Sequence, residues 1–264
     1  MRKTINNFLI ICVAAAFAVS CKKKDNPEPQ SNLGYVSFHN AALLLPRAGN
    51  ILIDNNRVNN ANFISYLASI SGNWVGAIEG NRTIAFKDSS ASVTTNWASK
   101  SVTVQAGKAY SAFAYDTLNA TTGQVRMLVL NTDLTTPALG RSNVRFLHLS
   151  PDAPNVDVAL LRVNDARTGY VDSVKITNVP FVGPTPNETA LSAFANIPSG
   201  LYHIRVRPAG TFTNVVSVGT TFTTGTSIIQ GKNYSIFARG FVTNTGPGRT
   251  TATALGATII LHNP

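Results

Sequence analysis

Val104-Gln105-Ala106-Gly107-Lys108-Ala109-Tyr110-Ser111-Ala112-Phe113-Ala114 and Ile228-Ile229-Gln230-Gly231-Lys232-Asn233-Tyr234-Ser235-Ile236-Phe237-Ala238 are one phrase written twice in a chain of 264 residues. Gly, Lys, Tyr, Ser, Phe and Ala coincide at the same spacing. In each copy an apolar strand enters, Gly-Lys turns, and Tyr-Ser-x-Phe-Ala leaves as the next strand. Glycine supplies the positive φ that such a turn often requires. A repeated strand–turn–strand predicts two copies of one β unit.

Other segments pair in the same order. Tyr35 to His39 corresponds to Val144 to His148, which aligns His39 with His148. Gly80 to Phe86 corresponds to Gly200 to Val206, and Val125 to Asn131 to the closing Gly256 to Asn263. The second copy is longer, mainly through 162–190, which reads as an inserted loop or hairpin. Tyr202, Ile204 and Val206 fall on one face of a strand, with His203, Arg205 and Arg207 on the other. That is period-2 alternation with one face buried. Thr, Ser, Asn, Val and Gly abound and no long helical pattern appears, a composition of extracellular β structure. The expectation is an all-β protein: two tandem antiparallel β-sandwich domains, 33–137 and 138–264, after a signal peptide and a short stalk.

The N-terminus reads in three parts. Arg2 and Lys3 open it, an apolar run follows from Phe8 to Val19, and small residues precede Cys21. That is the layout of a secretory signal peptide. The run is shorter than the roughly 20 apolar residues a membrane span needs. Ala18-Val19-Ser20-Cys21 resembles the lipobox of bacterial lipoproteins, which implies diacylglyceryl transfer to Cys21, loss of residues 1–20 and N-acylation. Each buried methylene contributes roughly 0.8 kcal/mol, so several acyl chains give a lasting anchor. Cys12 leaves with the signal, and no thiol remains for a disulfide or a nucleophile. Residues 21–32 are the lipidated cysteine and a flexible, charged, Pro-containing stalk.

The whole chain carries 22 basic and 12 acidic residues, a formal charge of +10. Arg2, Lys3 and the stalk's Lys22, Lys23 and Lys24 account for much of the excess, so the folded part is only mildly basic. No basic cluster is interleaved with aromatics, and nucleic acid is not an expected partner. An anionic glycan or a membrane surface is the better complement.

The segment Val144-Arg145-Phe146-Leu147-His148-Leu149-Ser150-Pro151-Asp152-Ala153-Pro154-Asn155-Val156-Asp157-Val158 resembles the opening of domain-of-unknown-function family 4397. Pro198 to Val206 and Gly231 to Tyr234 resemble later strands of that family. The first copy departs from it, because Asn40-Ala41-Ala42 follows His39 and the Ser-Pro-Asp-Ala-Pro turn is missing. The resemblance implies tandem copies in an exported protein, often a lipoprotein of the Bacteroidetes, and implies no chemistry.

His148, Ser150, Asp152 and Asp157 include the residue types of a hydrolytic triad. However, Ser150, Pro151, Asp152 and Pro154 read as a structural turn, with proline presetting φ and Ser and Asp capping local amides. No Gly-x-Ser-x-Gly elbow occurs. The histidines lack metal-ligand spacing, and Asp54 to Asn60 has the residue types of a calcium loop without its Gly and Glu, so neither a metal nor a cofactor is expected. Trp74, Trp97 and Tyr66 are candidates for sugar stacking; burial in the sandwich is the favoured alternative for each tryptophan, and Trp97, in its polar surroundings, is the better candidate for exposure. His203, Arg205 and Arg207 form a basic strand face, either solvated or an anion-binding strip. Thr117 and Ser173 sit in Asp-Ser/Thr-apolar triplets that look like acceptors of bacterial O-glycosylation.

These readings point to a cell-envelope lipoprotein anchored through Cys21, in the outer membrane, acting as a non-catalytic binding or adhesion module for a glycan or an envelope protein. A glycan-acting hydrolase using paired carboxylates and a passive spacer are the competing readings.

Overall fold

A computed structural model describes residues 32–60, 62–70, 74–90, 95–243 and 245–263. Cys21, the signal peptide and the stalk lie outside them. Residues 31–264 form one compact unit. Among the described residues no helix is long and apolar enough to cross a membrane.

The first half contains β1 (Leu33–Asn40), β2 (Gly49–Ile53), β3 (Asn56–Arg57), β4 (Val75–Ile78), β5 (Gly80–Asp88), β6 (Asn96–Val104), β7 (Ala109–Tyr115) and β8 (Arg126–Asn131). They form two facing sheets, β4-β1-β7-β8 and β3-β2-β5-β6. The second half contains β9 (Arg141–His148), β10 (Val156–Val163), β11 (Tyr170–Val179), a short α1 (Glu188–Ser192), β12 (Ala195–Pro198), β13 (Gly200–Pro208), β14 (Val216–Val218), β15 (Thr226–Ile228), β16 (Asn233–Arg239) and β17 (Gly256–Leu261). It repeats the plan as β12-β9-β16-β17 and β11-β10-β13-β14, with β15 also on β13. Both halves are β-sandwiches. The sheets are antiparallel except at their centres, where β1 runs parallel to β7 and β9 to β16. Alternation along a strand reports which face is buried and carries no information on partner direction, so this was not visible in the sequence.

Alternation sets both cores. Val36 and Phe38 of β1 meet Ile51, Ile84, Phe86 and Trp97 in the first. Val144 and Phe146 of β9 meet Val158, Leu160, Tyr202, Ile204 and Val206 in the second. The repeated Gly-Lys turns are equivalent. Gly107 and Gly231 both have φ +73°, and a Cβ on Gly107 would meet nothing within 4 Å, so the backbone angle rather than crowding calls for glycine. Tyr110 pairs with Val36 and Tyr234 with Val144. The Tyr110 hydroxyl accepts from the Gln105 amide at 3.1 Å, and the Tyr234 hydroxyl accepts from the Ile229 amide at 3.0 Å.

This register corrects the alignment of the histidines by one residue. Ser37 is equivalent to Arg145, His39 to Leu147 and Asn40 to His148. A one-residue slip moves every side chain to the other face. His148 therefore points with Phe146, whereas His39 points away from Phe38, toward the other half of the molecule.

The two halves meet sheet to sheet. Phe113, Tyr115, Leu128 and Leu130 pack with Leu147, Leu149 and Phe237 in a third apolar cluster. Beside it lies a buried polar network built from equivalent positions of both halves. Ser37, Ser111 and Thr132 are linked in the first, and Arg145, Ser235 and His262 in the second. Arg145, 2% exposed, donates to the Asn131 carbonyl at 3.0 Å, the Thr132 hydroxyl at 3.1 Å and the Ser235 hydroxyl at 2.6 Å, and stacks on Phe194. Among the described residues none of its hydrogen-bond partners is a carboxylate. His39 bonds Ser69 and Ser37, and its ring centroid lies 6.2 Å from that of His262. Burial, with the Arg145 charge adding to it, pushes His39 down to about 3 and His262 to about 2. The 162–190 stretch supplies β11 and α1 and then bridges the halves: Tyr115 donates to the Gly183 carbonyl at 2.7 Å, and Lys100 pairs with Glu188.

Candidate functional site

The turn after β9 spends its polar groups internally. The Ser150 hydroxyl donates to the Gly240 carbonyl at 2.6 Å, and a His148 ring nitrogen sits 3.0 Å from the Pro154 carbonyl. Asp152 accepts from the Val242 amide at 2.8 Å, from Arg249 at 2.8 Å and from the Thr243 hydroxyl at 3.2 Å. Asp157 accepts from the Asn178 and Gly210 amides, which hold its carboxyl below the usual range. The Ser150 amide donates to His148 Nδ1 at 3.3 Å, whereas neither Asp152 nor Asp157 bonds His148 or Ser150 among the described residues. The turn instead clamps the segment 241–249 of the second half.

The three aromatic candidates occupy separate places. Trp97 is 5% exposed and packs edge-on against Phe86 in the first core, so it takes the buried alternative and offers no stacking platform. A β-bulge in β6 opposite Phe86 and Lys87 turns both Trp97 and Ala98 into the core, whereas simple alternation would have placed Trp97 with the exposed Ser99, Ser101 and Thr103. Trp74 is half-buried at the junction of the halves, donating to the His262 carbonyl at 2.9 Å. Tyr66 lines a cleft of about 440 Å³ with Leu43, Leu45 and Pro247, and its hydroxyl is buried beside Arg239. Thr117 is half-buried beside Asp116 and Arg126, and Ser173 is exposed on β11. Asp54 of the Asn-rich turn accepts from Arg82 and the Thr83 amide. Among the described residues no group of three His, Cys, Asp or Glu is placed to hold a metal.

On the outer face of β11-β10-β13 donors remain available. Its two ends differ. At one end His203, read from alternation as solvated, is 1% exposed. Its ring stacks on Phe222, lies edge-on to Tyr170, and bonds the Tyr170 hydroxyl and the Thr221 and Thr224 carbonyls. Alternation put this side chain outward correctly, and the loop 219–225 then roofs it. Arg205 turns toward β14, donating to the Val218 carbonyl at 3.0 Å. Of the three expected basic residues, only Arg207 faces the open end.

There a depression of about 250 Å³ has Ala159 in its floor and Lys175, Thr177, Arg207 and Thr211 around it. Register explains the dip. Ala159 stands between Lys175 of β11 and Arg205 of β13, so a one-carbon side chain is flanked by long ones. Asp157 closes one side, with Arg207 beside it and opposite Asn214, whose side-chain oxygen accepts from Arg207 Nε at 2.6 Å. Phe212 borders the depression and is 90% exposed. A lone exposed apolar side chain is ordinary, and Leu139 is 88% exposed. Phe212 is distinguished by what stands next to it. Sequence reasoning missed Lys175, Ala159 and Phe212. The available signal was one aromatic set inside Gly210-Thr211-Phe212-Thr213-Asn214, a loop otherwise made of small and polar residues.

Residues 34–159 match the model of a family described as a domain of unknown function, DUF4397. The match takes in the Val144 to Val158 opening and ends in β10, before Pro198 to Val206 and Gly231 to Tyr234. No curated protein sequence matches the chain. Among solved structures, the Bacillus anthracis TIE protein aligns at 13% identity and a TM-score of 0.22, covering 78% of this chain and 33% of that one. A leucine-rich repeat protein from Bacteroides thetaiotaomicron aligns at 12% identity and a TM-score of 0.18, covering 78% and 26%. The chain thus spans a third or less of the length of either.

Proposed function

We propose, starting from the DUF4397 match and the open face of the second sandwich, that this protein is a non-catalytic binding module of the bacterial cell envelope, tethered through lipid on Cys21, and that the module takes a glycan. The observation that carries this reading is Phe212. A fully presented aromatic ring beside a small depression ringed with hydrogen-bond donors suits a sugar, whose ring has an apolar face and a polar edge. The polar residues that resemble a hydrolytic set are each committed to internal bonds, which favours binding over turnover.

A glycan array probed with residues 31–264 tests the reading. Binding by the wild-type protein and its loss in Phe212→Ala is the expected outcome. Absence of any glycan signal would overturn it and favour a spacer role. The anchor is tested separately: Cys21→Ala should abolish labelling by a fatty-acid analogue, and persistent labelling would contradict lipidation at this residue.

A further inference from the structure

We propose that the depression beside Phe212 selects a sugar bearing a carboxylate, a uronic acid, over a neutral sugar. This rests on the glycan-binding reading and deepens it. The groups around the depression are unequal in what they can still offer. Among the described residues Lys175 has three donors and no hydrogen-bond partner that fixes them, and Arg207 keeps its terminal nitrogens after spending Nε on Asn214. Thr177 and Thr211 add hydroxyls at the rim. The acceptors are fewer and committed, since Asp157 gives one oxygen to the Asn178 amide at 2.8 Å and the other to the Gly210 amide at 2.9 Å. Two cations against one such carboxylate leave a donor-rich, net positive site. A guanidinium and an ammonium from the two strands that flank β10, both lining the depression, suit a carboxylate by charge-assisted hydrogen bonds.

Size and shape narrow the ligand further. About 250 Å³ lies below the usual range for a drug-sized cavity, so one ring fits rather than several. Ala159 lets that ring approach the sheet, and Phe212 offers it a flat face. Phosphate alone would use the cations and leave Phe212 without a role.

The test compares trigalacturonate with its fully methyl-esterified form, which keeps the ring and removes the charge, on residues 31–264 in titration calorimetry. Trigalacturonate should bind at least about tenfold more tightly than the ester, and the preference should shrink as salt rises. Lys175→Ala with Arg207→Ala should erase the preference, while Phe212→Ala should weaken both ligands. Circular dichroism of these surface variants checks that they remain folded. Equal binding of acid and ester would overturn the uronate inference while leaving glycan binding intact. Binding of neither, together with a silent array, would overturn both. Retention on phosphatidylglycerol vesicles that depends on Lys175 and Arg207, without trigalacturonate binding, would assign the cations to a membrane and also overturn the inference.

Discussion

The two halves share a strand plan down to the register, yet their outer faces have diverged. Leu52 of β2 stands between Arg57 and Ala85, and Ala159 of β10 stands at the same place between Lys175 and Arg205. A leucine fills in the first half what an alanine leaves open in the second. The first half also has an exposed aromatic, Phe63, but the Arg57 guanidinium already lies 4.9 Å from its ring centroid. Phe212 has no such cover. The inward positions are constrained by packing in both halves, and the outward positions are free to specialise. The faces that meet at the junction show the same thing: Ser37 in one half is matched by buried Arg145 in the other.

The largest expected effect tests whether the halves form one body. His39 belongs to the first half and His262 to the second, and both are buried in the junction with lowered affinity for protons. An unfolded histidine titrates near 6.5, so below that pH the unfolded chain binds protons that the folded chain refuses. The stability is therefore complete above about pH 6.5 and is lost as pH falls toward 3. Each histidine can cost about 1.4 kcal/mol per pH unit, and the pair on the order of 4 kcal/mol by pH 5. Denaturant melts at pH 7 and 5, followed by probes in both halves, should show one transition that weakens as a whole. Two separate transitions would break the single-body comparison.

Next in size is Arg145→Ser, which gives the second half the residue of the first. It removes the guanidinium donor from the Asn131 carbonyl and from the Thr132 and Ser235 hydroxyls and opens a space beside Phe194. The expected cost is about 3 kcal/mol in chemical denaturation. A change within error would mean that the network contributes nothing to the junction. Smaller again is Asp152→Ala, about 1 kcal/mol, like the loss of a cap. Exchange of the Val242 amide should accelerate most, because the first half has Leu43-Leu44-Leu45 where the clamp would be. Unchanged exchange there would remove Asp152 from the role of clamp.

Much of this architecture was legible in the chain. The twin Gly-Lys-x-Tyr-Ser phrases located equivalent strands, and the alternation of Tyr202, Ile204 and Val206 identified an inward face, since both signals are local. The slip between His39 and His148 arose because two histidines looked alike while the register is fixed by Tyr110 and Tyr234 across the sheet. The depression was not legible. Ala159, Lys175 and Arg207 lie on three strands, and only their pairing makes them neighbours. Likewise the cover over His203 comes from Phe222, which lies far along the chain and sits in a loop with no pattern of its own.

Ala159→Leu tests the central claim most directly, because it copies Leu52 of the first half into the second. It adds no charge and removes no donor, and it fills only the floor of the depression. Titration of trigalacturonate into residues 31–264, with circular dichroism confirming that the variant is folded, should lose at least about tenfold in affinity, 1.4 kcal/mol. Undiminished binding in a folded Ala159→Leu protein would contradict the account and place the ligand elsewhere on the molecule.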